Sequence, residues 1–488
     1  MEAATTVAGG RVQEYPGRWL AAPVMIGAAT MDLIDLTIVN VALPTIRADL
    51  GASGTELEWV ISAYMLAFAA TLIVAGSFGD LLGRKRLFCG GIATFGLASL
   101  AAGLAQAPEE LIAARVVQGV AAAAMIPQLL ATFRAIFDGE ERAKAFGVYG
   151  AVLGFASAIG LVLGGVLTEA DLFGWGWRAV FFVNVPVALV SLIAALRVVP
   201  ESSDPEAGRP DLVGAGLLAA AIVAIAYPLL EGRGLGWPIW VSLVAGISGL
   251  VVLGVVAERR PRAGVAPLLR TRVLRIPVFT AGLLVQLAFS AGLQGFAVVF
   301  IVWIQTGMGF SPLGAGLTML AFSIGSLALA PIAVPLAQRR GRTVLFTGGL
   351  LMALGMLGVL LGAGHVGTGS DPWPVVPGLV VAGAGLSLMI IPFVNVVLAA
   401  VPQEIAGGAG GIFSTARQLG GALGVALVGT VFFGQIESNS PTHAFEHSAQ
   451  IVIGLFLAAA LLSLAVPRTA VDPSAVFVGD VDQEVAEL

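Results

Sequence analysis

Charge is scarce in this chain. Asp, Glu, Lys and Arg make up 11% of its 488 residues, against about 25% in an average soluble domain. That excludes a soluble globular protein. The formal net charge is only −5, so nothing points to a nucleic-acid partner. Cysteine occurs once, at Cys89, which excludes an intramolecular disulfide. Lysine occurs only at Lys85 and Lys144. Neither follows a glycine, so there is no Walker A phosphate loop, and the chain alone does not drive anything with ATP.

What the chain has is apolar length. Hydrophobic residues make up 58%, and there are 64 glycines, which membrane helices use for close packing. Fourteen apolar segments reach spanning length, near 19–44, 57–79, 87–106, 109–133, 143–168, 177–198, 211–231, 238–257, 277–304, 312–337, 343–363, 375–401, 408–435 and 449–467. They are too long for alternating barrel strands and read as helices. The first is too long for a secretory leader, contains carboxylates, and has no small-residue cleavage site after it. With a cytoplasmic N-terminus, basic residues cluster on the inner segments, and only Arg47, Arg178 and Arg233 fall outside. The positive-inside rule then places both termini in the cytoplasm.

The sequence repeats internally. AGSFGDLLGRKRLF (75–88) and AVPLAQRRGRTVLF (333–346) align on Ala, Gly, Arg, Leu and Phe, each between the second and third helices of a six-helix set. The expected fold is therefore all-α and integral to the membrane. It has fourteen helices: a bundle over 19–200, two linking helices over 211–257 and a second bundle over 277–467. Flanking these are an N-terminal tail (1–18), a basic cytoplasmic loop (258–276) and an acidic cytoplasmic tail (468–488). Duplicated six-helix halves are a transporter layout, with binding near the midplane.

GSFGDLLGRKR (76–86) resembles the loop signature of the major facilitator superfamily. Gly76, Asp80, Gly83, Arg84 and Lys85 match it, while Phe78, Gly79 and Leu82 depart from it. The resemblance implies that Asp80 and Arg84 belong to a cytoplasmic charge latch. The second copy carries Gln338 where the first has Asp80, so such a latch is one-sided. DLTIVNVALP (35–44) resembles the first-helix signature of the 14-spanner drug/proton antiporters of the EmrB and QacA type. WVISAYMLA (59–67), WRAVFFVNVP (177–186) and RQLGGALGVA (417–426) agree with that family. LIAARVVQG (111–119) resembles its fourth-helix motif, whose Arg is implicated in proton coupling.

Two carboxylates, Asp32 and Asp35, sit inside the first span, where each costs on the order of 3 kcal/mol at the bilayer centre. They are three apart and project to one side of a helix. Asp35 lies nine residues before Pro44, and Arg115 about seven residues into the fourth span. At 1.5 Å per residue these are depths of roughly 13 Å and 11 Å from the outer side, close enough to pair. Either a static ion pair or a proton site fits that pairing. The resemblance assigns the family's acid to Asp35; Asp32 is an addition expected to face the same cavity.

The fifth span, GVYGAVLGFASAIGLVLGG (147–165), matches the antiporters' glycine motif at Gly147, Gly160, Gly164 and Gly165. Leu161 stands where they have Pro, and Ala156 where they have Gly. The second half buries no acid. Near the counterparts of Asp35 and Arg115 stand Leu293 and Val380, both apolar. Candidate cavity residues are Gln118, Gln286, Gln294, Asn395 and Arg417; Gln305 is a further in-span polar residue. HAFEH (443–447) spells H-x-x-E-H, a zinc-peptidase pattern, in what reads as a short outer loop. A zinc site there would need His443, Glu446 and His447.

The expected function is export of amphipathic drugs, antibiotics or secondary metabolites in exchange for protons, by alternating access. The machinery needs no cofactor besides the proton gradient. Its expected partners are small amphipathic or apolar substrates, protons and the lipid bilayer, and its location a bacterial cytoplasmic membrane. The alternatives are a proton symporter or metabolite carrier of the same fold and, remotely, the peptidase.

Overall fold

The computed structural model describes residues 15–203, 209–231, 238–259, 265–266, 271–366, 371–399, 401, 406–436 and 440–466. The tail from 467 onward and the charged linker around 204–208 lie outside the described residues. The helices are α1 (Arg18–Leu50), α2 (Gly54–Leu82), α3 (Arg84–Leu104), α4 (Pro108–Ile136), α5 (Gly139–Glu169), α6 (Ala179–Phe182) and α7 (Asn184–Val198), then α8 (Leu212–Glu231) and α9 (Pro238–Arg259). They continue with α10 (Pro277–Val302), α11 (Pro312–Arg340), α12 (Arg342–Ala363), α13 (Val376–Ala399), α14 (Ala406–Gln435) and α15 (Pro441–Ser463). A two-residue parallel pair joins Arg209–Pro210 (β1) to Val265–Ala266 (β2), on either side of α8 and α9.

Twelve helical segments among the described residues are long and apolar enough to cross a membrane. Two shorter apolar helices, Trp240–Val255 and Val376–Ile390, occupy the other two expected positions.

The helix ends follow local chemistry. Ser53 caps α2, accepting from the Glu56 amide at 3.2 Å while Glu56 accepts from the Ser53 amide at 2.7 Å, a reciprocal capping box. Gly51, at φ +66°, ends α1 in the left-handed conformation glycine favours. That end lies past Pro44, the expected boundary. The ring of a helical proline leaves a carbonyl one turn back without its donor. Here Gln305 Nε2 donates to the neighbouring Val41 carbonyl at 3.0 Å. The sixth span passes through Val183, between α6 and α7, with helical dihedrals (φ −59°, ψ −29°). Pro186 has no N–H to offer the Phe182 carbonyl, so the ladder lacks one bond there.

The chain divides into two compact units, Met1–Leu268 with Phe300–Leu317, and Leu269–Val299 with Thr318–Leu488. In the first, α2 packs on α3, α4 and α8, and α1 packs on α5 and α7. Trp59 Nε1 donates to Glu231 at 2.8 Å, which ties the first linking helix to α2. In the second unit, α12 packs on α13 and α15.

HAFEH does not lie in a loop. It falls in the first two turns of α15, because Ser440 caps that helix and Pro441 opens it. His443 Nδ1 meets Glu446 at 2.9 Å, and His447 Nδ1 meets Gln435 at 2.6 Å. Among the described residues, no group of three or more His, Cys, Asp or Glu gathers to hold a metal.

Candidate functional site

The acidic first helix and the RVVQG segment of α4 meet inside the first unit. Arg115, Gln118 and Gly119 share one face of α4, at spacings of three and four. Gly119 lets that face approach α2: a Cβ there would stand 2.3 Å from the Tyr64 carbonyl. The close approach lays the Arg115 guanidinium over the Tyr64 ring, 4.4 Å from its centre. It also lets Arg115 Nε donate to the Val60 carbonyl at 3.1 Å.

Arg115 Nη1 then donates to Asp35 Oδ2 and, at 2.9 Å, to Gln118 Oε1. Both charged side chains are sealed, Asp35 at 0% and Arg115 at 1% exposure. Asp35 Oδ1 accepts from Asn184 Nδ2 at 2.7 Å and from Gln118 Nε2 at 3.2 Å. Gln118 Nε2 also donates to Ser99 Oγ at 2.8 Å. Three helices, α1, α4 and α7, therefore meet at this carboxylate, and α2 and α3 join the cluster through the Val60 carbonyl and Ser99. Asp32, one turn nearer the N-terminus on α1, accepts a hydrogen bond from the Tyr64 hydroxyl and is buried. Two carboxylates and one guanidinium thus share an apolar bundle. Tyr64, Ser99 and Asn184 did not stand out in the sequence, although Tyr64 and Asn184 lie inside two of the signature stretches.

The loop between α2 and α3 is a second cluster. Gly83, at φ +105°, makes the turn between α2 and α3, a conformation that strains any other residue. Asp80 Oδ1 accepts from Arg84 Nη2 at 2.7 Å and Nε at 3.0 Å. Glu201, beyond α7, accepts from the Lys85 amide at 3.1 Å and lies 3.6 Å from Arg86. Lys85 Nζ donates to the Leu196 carbonyl at 2.8 Å. Gly76 faces Pro127 with room for a Cβ. In the second copy Gly341 also has positive φ, +53°, and Arg342 donates to the Leu464 carbonyl at 2.5 Å. The side chain of Gln338 lies outside the described residues.

The fifth-helix glycines split. A Cβ on Gly160, Gly164 or Gly165 would stand 2.0 Å from Thr37 Oγ1, 2.9 Å from the Ile38 carbonyl oxygen, or 2.6 Å from Leu313 Cα. Gly147 faces open space. Among the candidate cavity residues, Gln118 is fully buried beside Asp35. Gln286 is buried and donates to Ser290 Oγ at 2.7 Å. Gln294 is half-buried and Arg417 exposed. The side chain of Asn395, on α13, lies outside the described residues. Gln418, beside Arg417, is buried and was not singled out.

The Major Facilitator Superfamily profile matches residues 25–425 and, in a second match, 278–475. The chain belongs to that superfamily and is a multi-pass membrane transporter rather than an enzyme. It is 39% identical to the probable actinorhodin transporter of Streptomyces coelicolor, over 87% of this chain and 74% of that one. It is 36% identical to the puromycin resistance protein pur8 of Streptomyces alboniger, over 89% and 86%. It is 32% identical to the tetracenomycin C resistance and export protein of Streptomyces glaucescens, over 84% and 75%. Among solved structures it is similar in fold to a POT family transporter in complex with 5-aminolevulinic acid. There the TM-score is 0.65 at 15% identity, over 91% of this chain and 96% of that one. It also resembles the proton:xylose symporter XylE, with TM-score 0.61 at 14% identity, over 94% and 98%.

Proposed function

We propose that this chain is a proton-coupled exporter of amphipathic drugs, antibiotics or secondary metabolites, of the 14-spanner EmrB/QacA type. It works by alternating access in a bacterial cytoplasmic membrane, with both termini inside. The observation that carries the reading is the odd charge count of the buried cluster. Asp32 and Asp35 face one Arg115, so the cluster is anionic until it takes up one proton. A site that is neutral with a proton and charged without it responds differently to the two states of a transporter. The names of the relatives support the direction and substrate class: a transporter of actinorhodin, a puromycin resistance protein and a tetracenomycin exporter. In this reading Gln286, Gln294, Asn395 and Arg417 are the ligand-facing candidates of the second unit, and Asp80 with Arg84 forms the latch. Leu161, in place of the fifth-helix proline, favours the second reading, a symporter of the same fold.

The test is reconstitution in liposomes with an imposed pH gradient, using puromycin, tetracenomycin C and methyl viologen as probes. Gradient-driven movement of a probe, with protons moving the opposite way when it is added, is the expected result. Protons moving with the probe would establish symport. No coupled movement with any of the three would overturn the reading.

A further inference from the structure

We propose that the exchangeable proton sits on Asp32, with the Tyr64 hydroxyl as its positioning partner, while Asp35 stays ionised throughout. The proposal rests on the proton-coupled reading above and assigns the atom within it. It comes from the hydrogen-bond chemistry of the two carboxylates. Every partner of Asp35 is an N–H donor: Arg115, Gln118 and Asn184. A protonated Asp35 would aim its own O–H at one of those donors, and Arg115 would lose its counter-ion. That set of donors, with the guanidinium among them, favours the anion.

Asp32 differs because it meets a hydroxyl. A tyrosine O–H donates to a carboxylate and its oxygen accepts from a carboxylic acid, so this bond reverses rather than breaks when Asp32 takes a proton. The Tyr64 ring cannot swing away freely. It is buried, lies under the Arg115 guanidinium and stacks on Phe68 at 6.5 Å between ring centres. Asp32 also keeps 8% exposure where Asp35 keeps none. The charged groups acting on the Tyr64 hydroxyl are Asp32, Asp35 and Arg115; the contacts that α3 and α7 make with the cluster come from the neutral Ser99 and Asn184. Protonation of the Asp32 carboxylate neutralises the cluster and leaves the Asp35–Arg115 pair untouched; release of the proton restores one net negative charge.

The experiment is infrared difference spectroscopy of the purified protein in lipid, stepped between acidic and alkaline buffer. It reads protonated carboxyl groups and needs no substrate. Subtracting the Asp32→Asn spectrum from wild type should leave one carboxyl band. Subtracting Asp32→Asn/Tyr64→Phe from Tyr64→Phe should leave the same band at higher frequency, one hydrogen bond having been removed. Asp35→Asn should retain the band. Identical wild-type and Asp32→Asn spectra, an unshifted band in Tyr64→Phe, or loss of a band only in Asp35→Asn would each overturn the assignment. If Asp35→Asn does not fold, the Asp32 and Tyr64 variants decide alone. An Asp32 band in a protein that shows no coupled proton flux would sink the antiport reading and leave this assignment standing.

Discussion

Replacing Arg115 with Ala removes the one cation of a sealed five-helix cluster. It leaves Asp35 at 0% exposure with two amide donors and no counter-charge. Breaking a buried ion pair by removing one partner costs about 3–5 kcal/mol, and an uncompensated charge at the bilayer centre costs roughly 3 kcal/mol on insertion scales. The two figures agree, so about 3 kcal/mol is a floor. The lost bond to the Val60 carbonyl and the lost contact with the Tyr64 ring add to it. Asp35→Asn should be milder. Its orphaned guanidinium keeps Val60, Gln118 and the Tyr64 face, and Asp32 remains on the same helix.

The assay is thermal unfolding in detergent, run as a double-mutant cycle with Asp35→Asn/Arg115→Leu. At on the order of 1 °C per kcal/mol for a chain of this size, Arg115→Ala should lower Tm by about 3 °C or more. The double variant should recover most of that loss, since replacing both members of a buried pair is often neutral. An Arg115→Ala protein within about 1 °C of wild type would refute the argument. So would a double variant as unstable as the two singles added together.

Asp80→Asn should cut efflux severalfold while changing stability by about 1 kcal/mol or less, because the Asp80–Arg84 pair is only partly buried; equal efflux would make the loop a topology anchor. Glu201→Gln should weaken the hold on the Lys85 amide and on Arg86, lowering efflux less than Asp80→Asn does in the same vesicles. Deleting 471–488 should leave efflux unchanged at matched expression, since VDPSAVFVGDVDQEVAEL carries acidic residues without a helical apolar stripe.

The Asp35–Arg115 pairing was legible because charges in apolar runs are few and their depths are fixed by helix rise. Ser99, Tyr64 and Asn184 were not, because a hydroxyl or amide in a membrane helix reads as ordinary until a carboxylate is seen beside it. Gln118 was marked as cavity-lining, and the structure places it fully buried, bridging Arg115, Asp35 and Ser99. Glu58, in the second turn of α2, was not singled out, yet it is fully buried. Pro44 suggested a boundary for α1 because proline ends helices in water. In a packed bundle other groups cover the carbonyls near it, and the helix runs on to Leu50.

The fifth-helix motif tests whether its glycines or its missing proline matter to the fold. Two glycines of α5 give an internal control. A methyl on Gly164 would stand 2.9 Å from the Ile38 carbonyl oxygen, a backbone atom that cannot turn aside alone. To restore an ordinary contact, α5 must move off α1 by roughly half an ångström, and overpacking of this kind costs about 1–3 kcal/mol. The displaced stretch of α1, Ile34 to Ile38, carries Asp35 within it, so the five-helix cluster should loosen as well. A methyl on Gly147 meets nothing within 4 Å, and Gly→Ala in an open helical position stabilises by about 0.4–1 kcal/mol. Gly164→Ala should therefore lower both Tm and efflux, while Gly147→Ala raises Tm slightly and leaves efflux intact. Leu161, meanwhile, offers its carbonyl to the other close approach, 2.5 Å from a Cβ built on Gly316, so the helix keeps its tight packing without the proline. If both alanine variants behaved alike, close packing would not be what these glycines supply. The absent proline would then become the feature that sets this helix apart.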